Sequence, residues 1–104
     1  MTEPRRIQLR RTAGYRKPRG AIVVRRPSRW GNPFDWQELG RHEAIERYRL
    51  WLAGAFAETI PFRKTVYRRP SAAEIAELRG KDLACTCGLN EPCHGDVLLQ
   101  EANP

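Results

Sequence analysis

The chain has 104 residues, a formal net charge of +7 and 40% hydrophobic residues. This length predicts one domain, spanning residues 1–104. It contains no apolar run near the roughly 20 residues that cross a membrane, and polar sequence follows Met1. We therefore expect no signal peptide, no membrane contact and a cytoplasmic location. Three cysteines in a reducing compartment favour a metal site or catalysis over disulfides.

The positive charge is concentrated near the amino terminus. Residues 1–30 contain ten basic residues and one acidic residue, whereas residues 31–104 contain nine basic and eleven acidic ones. Arginine outnumbers lysine sixteen to three, and guanidinium groups bind phosphate bidentately and stack on bases. We therefore expect a nucleic acid or nucleotide partner. The candidate phosphate-binding residues are Arg16, Lys17, Arg19, Arg25, Arg26 and Arg29. The alternative is a solvated segment whose arginines reflect codon bias.

Two strands are predicted in the first quarter of the chain. Residues 7–11 alternate apolar and polar side chains, which is typical of a half-buried strand. Residues 21–24 form a short β-branched run, which favours a strand buried on both faces, and Pro27 ends it. The basic, turn-rich residues 13–20 between them predict an exposed loop.

Residues 28–34 (Ser-Arg-Trp-Gly-Asn-Pro-Phe) follow the second strand and fit neither a helical nor a strand period. A Gly-containing turn after a strand, with an arginine and aromatic residues, could hold a base and a phosphate. Trp30, Asn32 and Phe34 are therefore candidate lining residues of a substrate pocket. Alternatively, the two aromatic residues anchor an irregular loop in the core.

The clearest helix covers residues 41–56. Its apolar residues recur at helical spacing and form one wide face: Ala44, Ile45, Tyr48, Trp51, Leu52, Ala55 and Phe56. Residues 59–67 form a connector or an edge strand because prolines interrupt and follow them. Ser71 and Glu74 are spaced as a capping box that opens a short helix, which stops at Gly80.

The carboxyl-terminal part predicts a buried strand at residues 82–85 and a last helix that starts at Cys93 or His94. The order of elements favours an α/β fold: one small layered domain with a short mixed or parallel sheet, about three helices and a Cys/His cluster near the C-terminal helix.

All three cysteines and one of the two histidines lie within residues 85–94. Cys85, Cys87, Cys93 and His94 are the kinds of ligand that zinc prefers, on a loop tight enough to bring them together. Adjacent ligands at positions 93 and 94 are awkward, since consecutive side chains tend to diverge. Four protein ligands would make a closed, structural zinc site, whereas an open fourth position would make a catalytic one.

Two alternatives to a metal site remain open at this stage. The cysteines could be buried and inert, with His94 capping a helix. Cys93 could instead be a metal-free catalytic thiol, because a helix N-terminus and a neighbouring histidine lower a thiol pKa. Asp96 is a second catalytic candidate that could orient the imidazole or bind substrate, although an acidic residue in a first helical turn also simply favours the helix dipole.

The two motifs should form one site if the sheet is parallel. Residues 21–24 and 82–85 both lead into irregular loops, and neighbouring parallel strands place such loops at the same edge. We therefore expect Trp30 or Asn32 to lie across a pocket from the Cys/His cluster.

The loop at residues 28–34, taken with residues 78–87 and 93–98, resembles domain-of-unknown-function family 4326, whose members are short proteins common in bacteriophages. Residues 7–12 and 14–18 resemble the same family. Many members carry an aromatic residue between the first two cysteines, where this chain has Thr86. The resemblance implies a phage setting and a shared site, and it supplies no reaction.

Three hypotheses follow for the function. The first is a zinc-binding phage protein that contacts nucleic acid through its Arg-rich N-terminal segment. The second is a nucleotide- or base-modifying enzyme centred on the metal or Cys93, with the Trp30 loop as the substrate pocket. The third is a factor that binds an acidic host protein through the same basic residues.

Overall fold

The computed structural model describes residues 3–10 and 13–104 and shows a small α/β fold. Arg11, the last residue of the predicted first strand, lies outside the described residues, as do Met1, Thr2 and Thr12. The helices are α1 (Trp36–Leu39), α2 (Arg41–Leu52), α3 (Ala72–Ala76) and α4 (His94–Ala102). The strands are β1 (Arg6–Gln8), β2 (Ile22–Val23), β3 (Thr59–Phe62), β4 (Thr65–Arg68) and β5 (Leu83–Cys85).

The main sheet is parallel, in the order β1-β5-β2. Ala84 of β5 is in register with Ile7 on one side and Val23 on the other. The central strand β5 is fully buried, as its sequence predicts. The run 21–24, predicted to be buried on both faces, is buried in part: Ala21 and Val24 are buried. Ile22 and Val23 are only half-buried, because β2 is an edge strand that is covered incompletely.

The ambiguous residues 59–67 belong to an antiparallel hairpin formed by β3 and β4. Pro61 is paired with Val66, which a two-stranded sheet tolerates because both of its strands are edges. The reversal falls at Arg63, whose φ of 56° is in the left-handed region. This non-glycine turn residue explains why the sequence showed no clear hairpin signal.

Helix α2 ends four residues before its predicted end. Ala53 is its C-cap, and Gly54 then adopts a φ of 107°, which breaks the helical conformation. Phe56 is consequently outside the helix and exposed, with its ring centroid 5.2 Å from that of Phe34. The buried face of α2 consists of Ala44, Tyr48 and Trp51.

The capping box of α3 is confirmed. The Ser71 hydroxyl accepts from the Glu74 amide at 3.1 Å, and a Glu74 carboxylate oxygen accepts from the Ser71 amide at 3.0 Å. Helix α1 was not predicted, since four residues are too few to show a period, but its cap is of an ordinary kind: Asp35 accepts from the amide of Gln37 at 2.9 Å.

The core lies between the main sheet and the helices that pack on it. Its largest fully buried side chains are Trp51, Tyr48, Leu83, Leu98, Val24 and Val97. Helix α4 contacts α2, α3, β1 and β5. The N-terminus of α4 therefore lies beside the carboxyl end of β5, where the Cys/His cluster is found.

Candidate metal centre

Four potential metal ligands meet where β5 ends and α4 begins. Cys85 is the last residue of β5, Cys87 follows it in the loop, and Cys93 and His94 start α4. The Sγ atoms of Cys85 and Cys87 are 3.7 Å apart, and Cys93 Sγ is 3.9 Å from His94 Nδ1. The ligand atoms of Cys85, Cys93 and His94 all lie within 4.8 Å of one another. The Cys/His cluster could therefore hold a metal ion.

The backbone conformation at Cys93 and His94 allows two consecutive residues to act as ligands. Cys93 is the N-cap of α4, with an extended backbone (φ −149°, ψ 146°), and His94 is the first helical residue. The change from extended to helical conformation turns both side chains to one side. Cys93 Sγ also accepts from the Gly95 amide at 3.4 Å, so the same sulfur caps the helix.

The tautomer of His94 leaves one ring nitrogen available as a ligand. Its Nε2 atom donates to the carbonyl oxygen of Val24 at 2.7 Å, since a carbonyl can only accept. In the neutral ring, Nδ1 then keeps its lone pair, on the side facing Cys93 Sγ. Burial lowers the pKa of His94 and favours this neutral form. Metal-bound histidines commonly donate their second ring nitrogen to a backbone carbonyl in this way.

The thiols of the cluster differ in acidity. Hydrogen bonds from Cys85 and Cys93 lower the pKa of Cys87, and Arg41 lowers it further, with its Nη1 atom 3.6 Å from the sulfur. The neighbouring thiols raise the pKa of Cys93, and burial adds to that effect. The pKa is therefore lowered at Cys87 and raised at Cys93. The alternative of a metal-free catalytic Cys93 expected a lowered pKa at Cys93 instead.

Arg6 holds the loop that carries the cysteines. It lies in β1 with its side chain only 6% exposed, and its five N–H groups face oxygen acceptors. Nη1 donates to the carbonyls of residues 87 and 88, at 3.2 and 3.1 Å, and Nη2 to those of residues 89 and 91, at 3.2 and 2.7 Å. Nε donates to Asp96 at 3.0 Å. Arg6 is thus a positioning residue for residues 87–91.

Asp96 is the ion-pair partner of Arg6. Its carboxylate accepts from Arg6 Nε, its side chain is 52% exposed, and it is not among the residues that line the cavity beside the cluster. Sequence reasoning offered Asp96 as a catalytic group or an orienting partner of His94. The structure instead gives the orienting contact to the Val24 carbonyl.

One sulfur–sulfur distance in the cluster matches the geometry of a zinc site. Thiolates at about 2.3 Å from a tetrahedral zinc ion lie about 3.8 Å from one another, close to the 3.7 Å between Cys85 Sγ and Cys87 Sγ. A disulfide would need about 2.05 Å, and all three cysteines are free. Three sulfurs and Nδ1 of His94 would supply the four ligands of a structural zinc site.

A cavity of about 250 Å³ adjoins the cluster at the carboxyl ends of β2 and β5. Cys85, Cys87, Cys93 and His94 form one side of it. The other lining groups that bear on ligand chemistry are Arg25, Arg26, Asn32, Phe34, Trp36 and Arg41. Within the described ranges no Asp or Glu lines this cavity. The site is thus a basic, partly aromatic cavity beside a metal-capable cluster.

Two of the three predicted pocket residues line the cavity beside the cluster. Asn32 and Phe34 line the cavity, so the loop after β2 does lie across from the cluster, as a parallel sheet requires. Asn32 is buried, and its amide donates to the Ala44 carbonyl at 3.1 Å while its Oδ1 accepts from the Phe34 amide at 2.9 Å. Trp30 does not line the cavity. It is 5% exposed in the core, and its carbonyl accepts from the Tyr48 hydroxyl.

The predicted phosphate-binding residues do not form one group. Arg25 and Arg26 follow β2 and line the cavity. Arg29 is paired with Glu74. The exposed residues Arg16 and Lys17, with Arg19, precede β2 and so lie toward the other end of that strand.

Sequence reasoning missed three residues of the site. Arg6 was hidden among ten basic residues of the amino-terminal segment, and only its position beside a predicted strand pointed to it. Arg41 and Trp36 line the cavity, and the Arg41 guanidinium lies 4.4 Å from the Trp36 ring centroid. An arginine at the start of the long predicted helix was visible, but its contact with the cluster depends on tertiary structure.

These features define a small α/β domain with a Cys/His cluster at the edge of a parallel sheet. Residues 7–104 match the family described as Domain of unknown function (DUF4326), and the chain belongs to that family. No curated protein and no solved structure matches the chain. None of the helices in the described ranges combines the length and the apolar character that a membrane crossing requires.

Proposed function

We propose that this protein is a zinc-binding nucleic-acid-binding protein whose Cys/His cluster shapes a phosphate-binding cavity. One observation carries the proposal: Arg25, Arg26 and Arg41 converge on the cavity that the cluster lines, without a described carboxylate in its wall. Arg41 is already paired with Glu91, so Arg25 and Arg26 supply the charge that favours a phosphate-type oxyanion. The carboxyl ends of parallel strands are also where α/β folds commonly bind ligands.

Zinc is the proposed metal because of the donor set. Three thiols and one imidazole nitrogen suit zinc better than magnesium or calcium, which prefer oxygen ligands. Cys85, Cys87, Cys93 and His94 would hold the ion, which would add folding free energy to a domain with a small core. With four protein ligands available, its role would be structural.

The setting follows from the family resemblance and the charge. We propose a phage protein that acts in the cytoplasm of the bacterial host, where nucleic acid is the abundant polyanion. Arg16, Lys17 and Arg19 would add contacts to phosphates outside the cavity, since exposed cations contribute a sequence-independent, salt-sensitive attraction.

A second candidate is an enzyme that modifies a nucleotide or base. The observation that favours it is the place of the cluster, because a purely structural zinc site needs no access to a cavity, and here all four ligand residues line one. The ligands around the zinc ion would distinguish the two candidate functions. Three sulfurs and one nitrogen indicate a structural ion, whereas a water-derived oxygen in place of a ligand would indicate catalysis.

The test measures binding of a fluorescent 20-nucleotide single strand and of its duplex over a range of salt concentrations. We expect affinity to fall with salt, with a log–log slope of roughly −0.7 per phosphate contact on a single strand and −0.9 on a duplex. Two variants separate the basic groups: Arg25→Ala at the cavity, and the triple variant Arg16→Ala, Lys17→Ala, Arg19→Ala on the loop before β2.

The control is Arg47→Ala, since Arg47 is paired with Glu43 on α2 and does not line the cavity. It should leave the slope unchanged, while Arg25→Ala should reduce its magnitude by about one contact. No binding of either strand at low salt would refute the nucleic-acid proposal and direct the search to an acidic host protein.

A further inference from the structure

Arg26 carries a buried donor without a partner. It follows β2, and its guanidinium carbon lies 4.0 Å above the centroid of the Phe62 ring. Its Nη1 atom is buried and makes no hydrogen bond to any of the described residues. A buried charged donor left unpaired is costly, and native proteins rarely keep one without a reason. The side chain also lines a second cavity together with Phe62, so a ligand in the cavity beside the cluster would gain this donor when the guanidinium turns away from Phe62 toward it.

The surroundings of Arg26 favour an anionic acceptor. Arg26 lines the cavity together with Arg25 and Arg41. Arg41 is already engaged, with Nη2 3.3 Å from a carboxylate oxygen of Glu91 and Nη1 near Cys87. Arg25 is exposed. The pair Arg25 and Arg26 therefore provides the unengaged positive charge of the cavity, and a phosphate group is the anion whose geometry two guanidinium forks match well.

The same cavity offers an aromatic surface. Trp36 is 40% exposed and lines the cavity, and Arg41 lies against its ring. Phe34 also lines it. Because the Arg41 guanidinium covers one face of the ring, the other face is the surface on which a base can stack.

The size of the cavity limits the ligand. Its volume of about 250 Å³ lies just below the 300–1,000 Å³ of pockets that hold drug-sized molecules. A space this small holds at most one nucleotide unit and cannot admit a stretch of duplex. A base that belongs to a polymer would have to enter from an end or be turned out of its stack.

We infer that the cavity binds a single nucleotide unit, with its phosphate on Arg26 and Arg25 and its base against Trp36. The inference rests on the proposed function and adds to it: the unit enters the cavity beside the Cys/His cluster. The shared chemistry is a 5′-phosphorylated nucleotide, either free or at the 5′ end of a strand.

The experiment uses calorimetry on the zinc-loaded full chain with the four 5′-mononucleotides, the matching nucleosides and inorganic phosphate. We expect at least one mononucleotide to bind about tenfold or more tightly than its nucleoside and than phosphate alone, because only it makes both contacts. Single strands with and without a 5′-phosphate distinguish the sources. Preference for the phosphorylated strand over the mononucleotide assigns a strand end, and the reverse assigns a free nucleotide.

The decisive variant is Arg26→Met, which removes the charge and keeps an unbranched apolar side chain against Phe62. Mononucleotide affinity should fall at least tenfold while the zinc content stays the same. The midpoint of denaturant unfolding should fall only slightly, because the lost donor had no hydrogen-bond partner in the free protein and only the guanidinium contact with Phe62 is lost. Trp36→Ala, at an exposed position, is a second variant and should also weaken mononucleotide binding at least tenfold without loss of zinc.

Three results would overturn the inference. If oligonucleotides bind with the expected salt dependence while no mononucleotide binds and a 5′-phosphate on the strand makes no difference, the inference fails and the proposed function stands. If mononucleotides bind with affinities that Arg26→Met and Trp36→Ala leave unchanged, the ligand lies elsewhere. If neither polymer nor mononucleotide binds, both the inference and the proposed function are refuted.

Discussion

The imidazole of His94 donates a hydrogen bond from Nε2 to the Val24 carbonyl at 2.7 Å. This contact joins the first residue of the last helix to the residue that follows the edge strand β2, 70 positions earlier in the chain. It also decides which ring nitrogen faces the thiols. The same hydrogen bond therefore leaves Nδ1 of His94 as the ligand atom and connects α4 to the main sheet.

The His94 contact predicts a combined loss of metal and stability. His94→Phe keeps an aromatic ring of similar size but removes both nitrogens, so the Val24 carbonyl loses its partner at a cost of about 1–3 kcal/mol. We expect zinc affinity to fall at least tenfold in a competition with a chelating dye. His42→Phe is the matched control because His42 is exposed on α2. Equal zinc affinity in the two variants would remove His94 from the ligand set.

The contacts of Arg6 predict that the conformation of the cysteine loop, residues 87–91, depends on a guanidinium and not merely on a positive charge. Arg6→Lys keeps the charge but provides three donors in place of five, so several carbonyls of residues 87–91 lose their partner. We expect a loss of about 2–4 kcal/mol in the free energy of unfolding and faster release of zinc to a chelator. Arg10→Lys, at an exposed position, should change neither. An unaltered release rate in Arg6→Lys would contradict the positioning role.

Asn32 predicts a cost in stability that is separate from ligand binding. Its side chain ties the loop after β2 to α2 through the Ala44 carbonyl and the Phe34 amide. Asn32→Ala should lower the free energy of unfolding by about 1–3 kcal/mol in a urea titration, because both hydrogen bonds of the buried side-chain amide are lost. Asn90→Ala, on the exposed cysteine loop, serves as the control. A neutral Asn32→Ala would mean that the loop is held by its aromatic residues instead.

The close packing around Gly31 predicts that a larger residue at this position would displace Arg26. A Cβ atom at position 31 would lie 2.7 Å from Cγ of Arg26 and 2.9 Å from the Tyr67 ring, which is too close for either contact. Gly31→Ala should therefore destabilise the protein by about 1–3 kcal/mol and displace Arg26. The readouts are thermal unfolding and mononucleotide affinity. Unchanged values of both would show that this part of the loop adapts freely.

The sequence predicted the parts of the fold that depend on local patterns. Serine and glutamate three positions apart identified the start of α3, and apolar spacing identified α2. The run of residues 82–85 identified a buried strand, which the structure has at Leu83–Cys85. The end of α2 was misplaced because Ala55 and Phe56 continued the apolar period, while the positive φ of Gly54 ended the helix.

The site was predicted in composition but not in its supporting contacts. Clustering of Cys85, Cys87, Cys93 and His94 was visible because all four lie within ten residues. The contribution of Arg6 was not visible, since β1 meets the cysteine loop only after pairing with β5, which is 77 residues away in the chain. Trp30 was assigned to the pocket because the loop is aromatic, yet its ring is buried in the core.

The central claim is that Cys85, Cys87, Cys93 and Nδ1 of His94 together hold one zinc ion. X-ray absorption at the zinc edge on the purified protein tests it most directly. The predicted spectrum contains three sulfur neighbours at about 2.3 Å and one nitrogen at about 2.0–2.1 Å, with one zinc per chain. A protein that purifies without metal and takes up none, or a spectrum with fewer than three sulfurs, would contradict the claim.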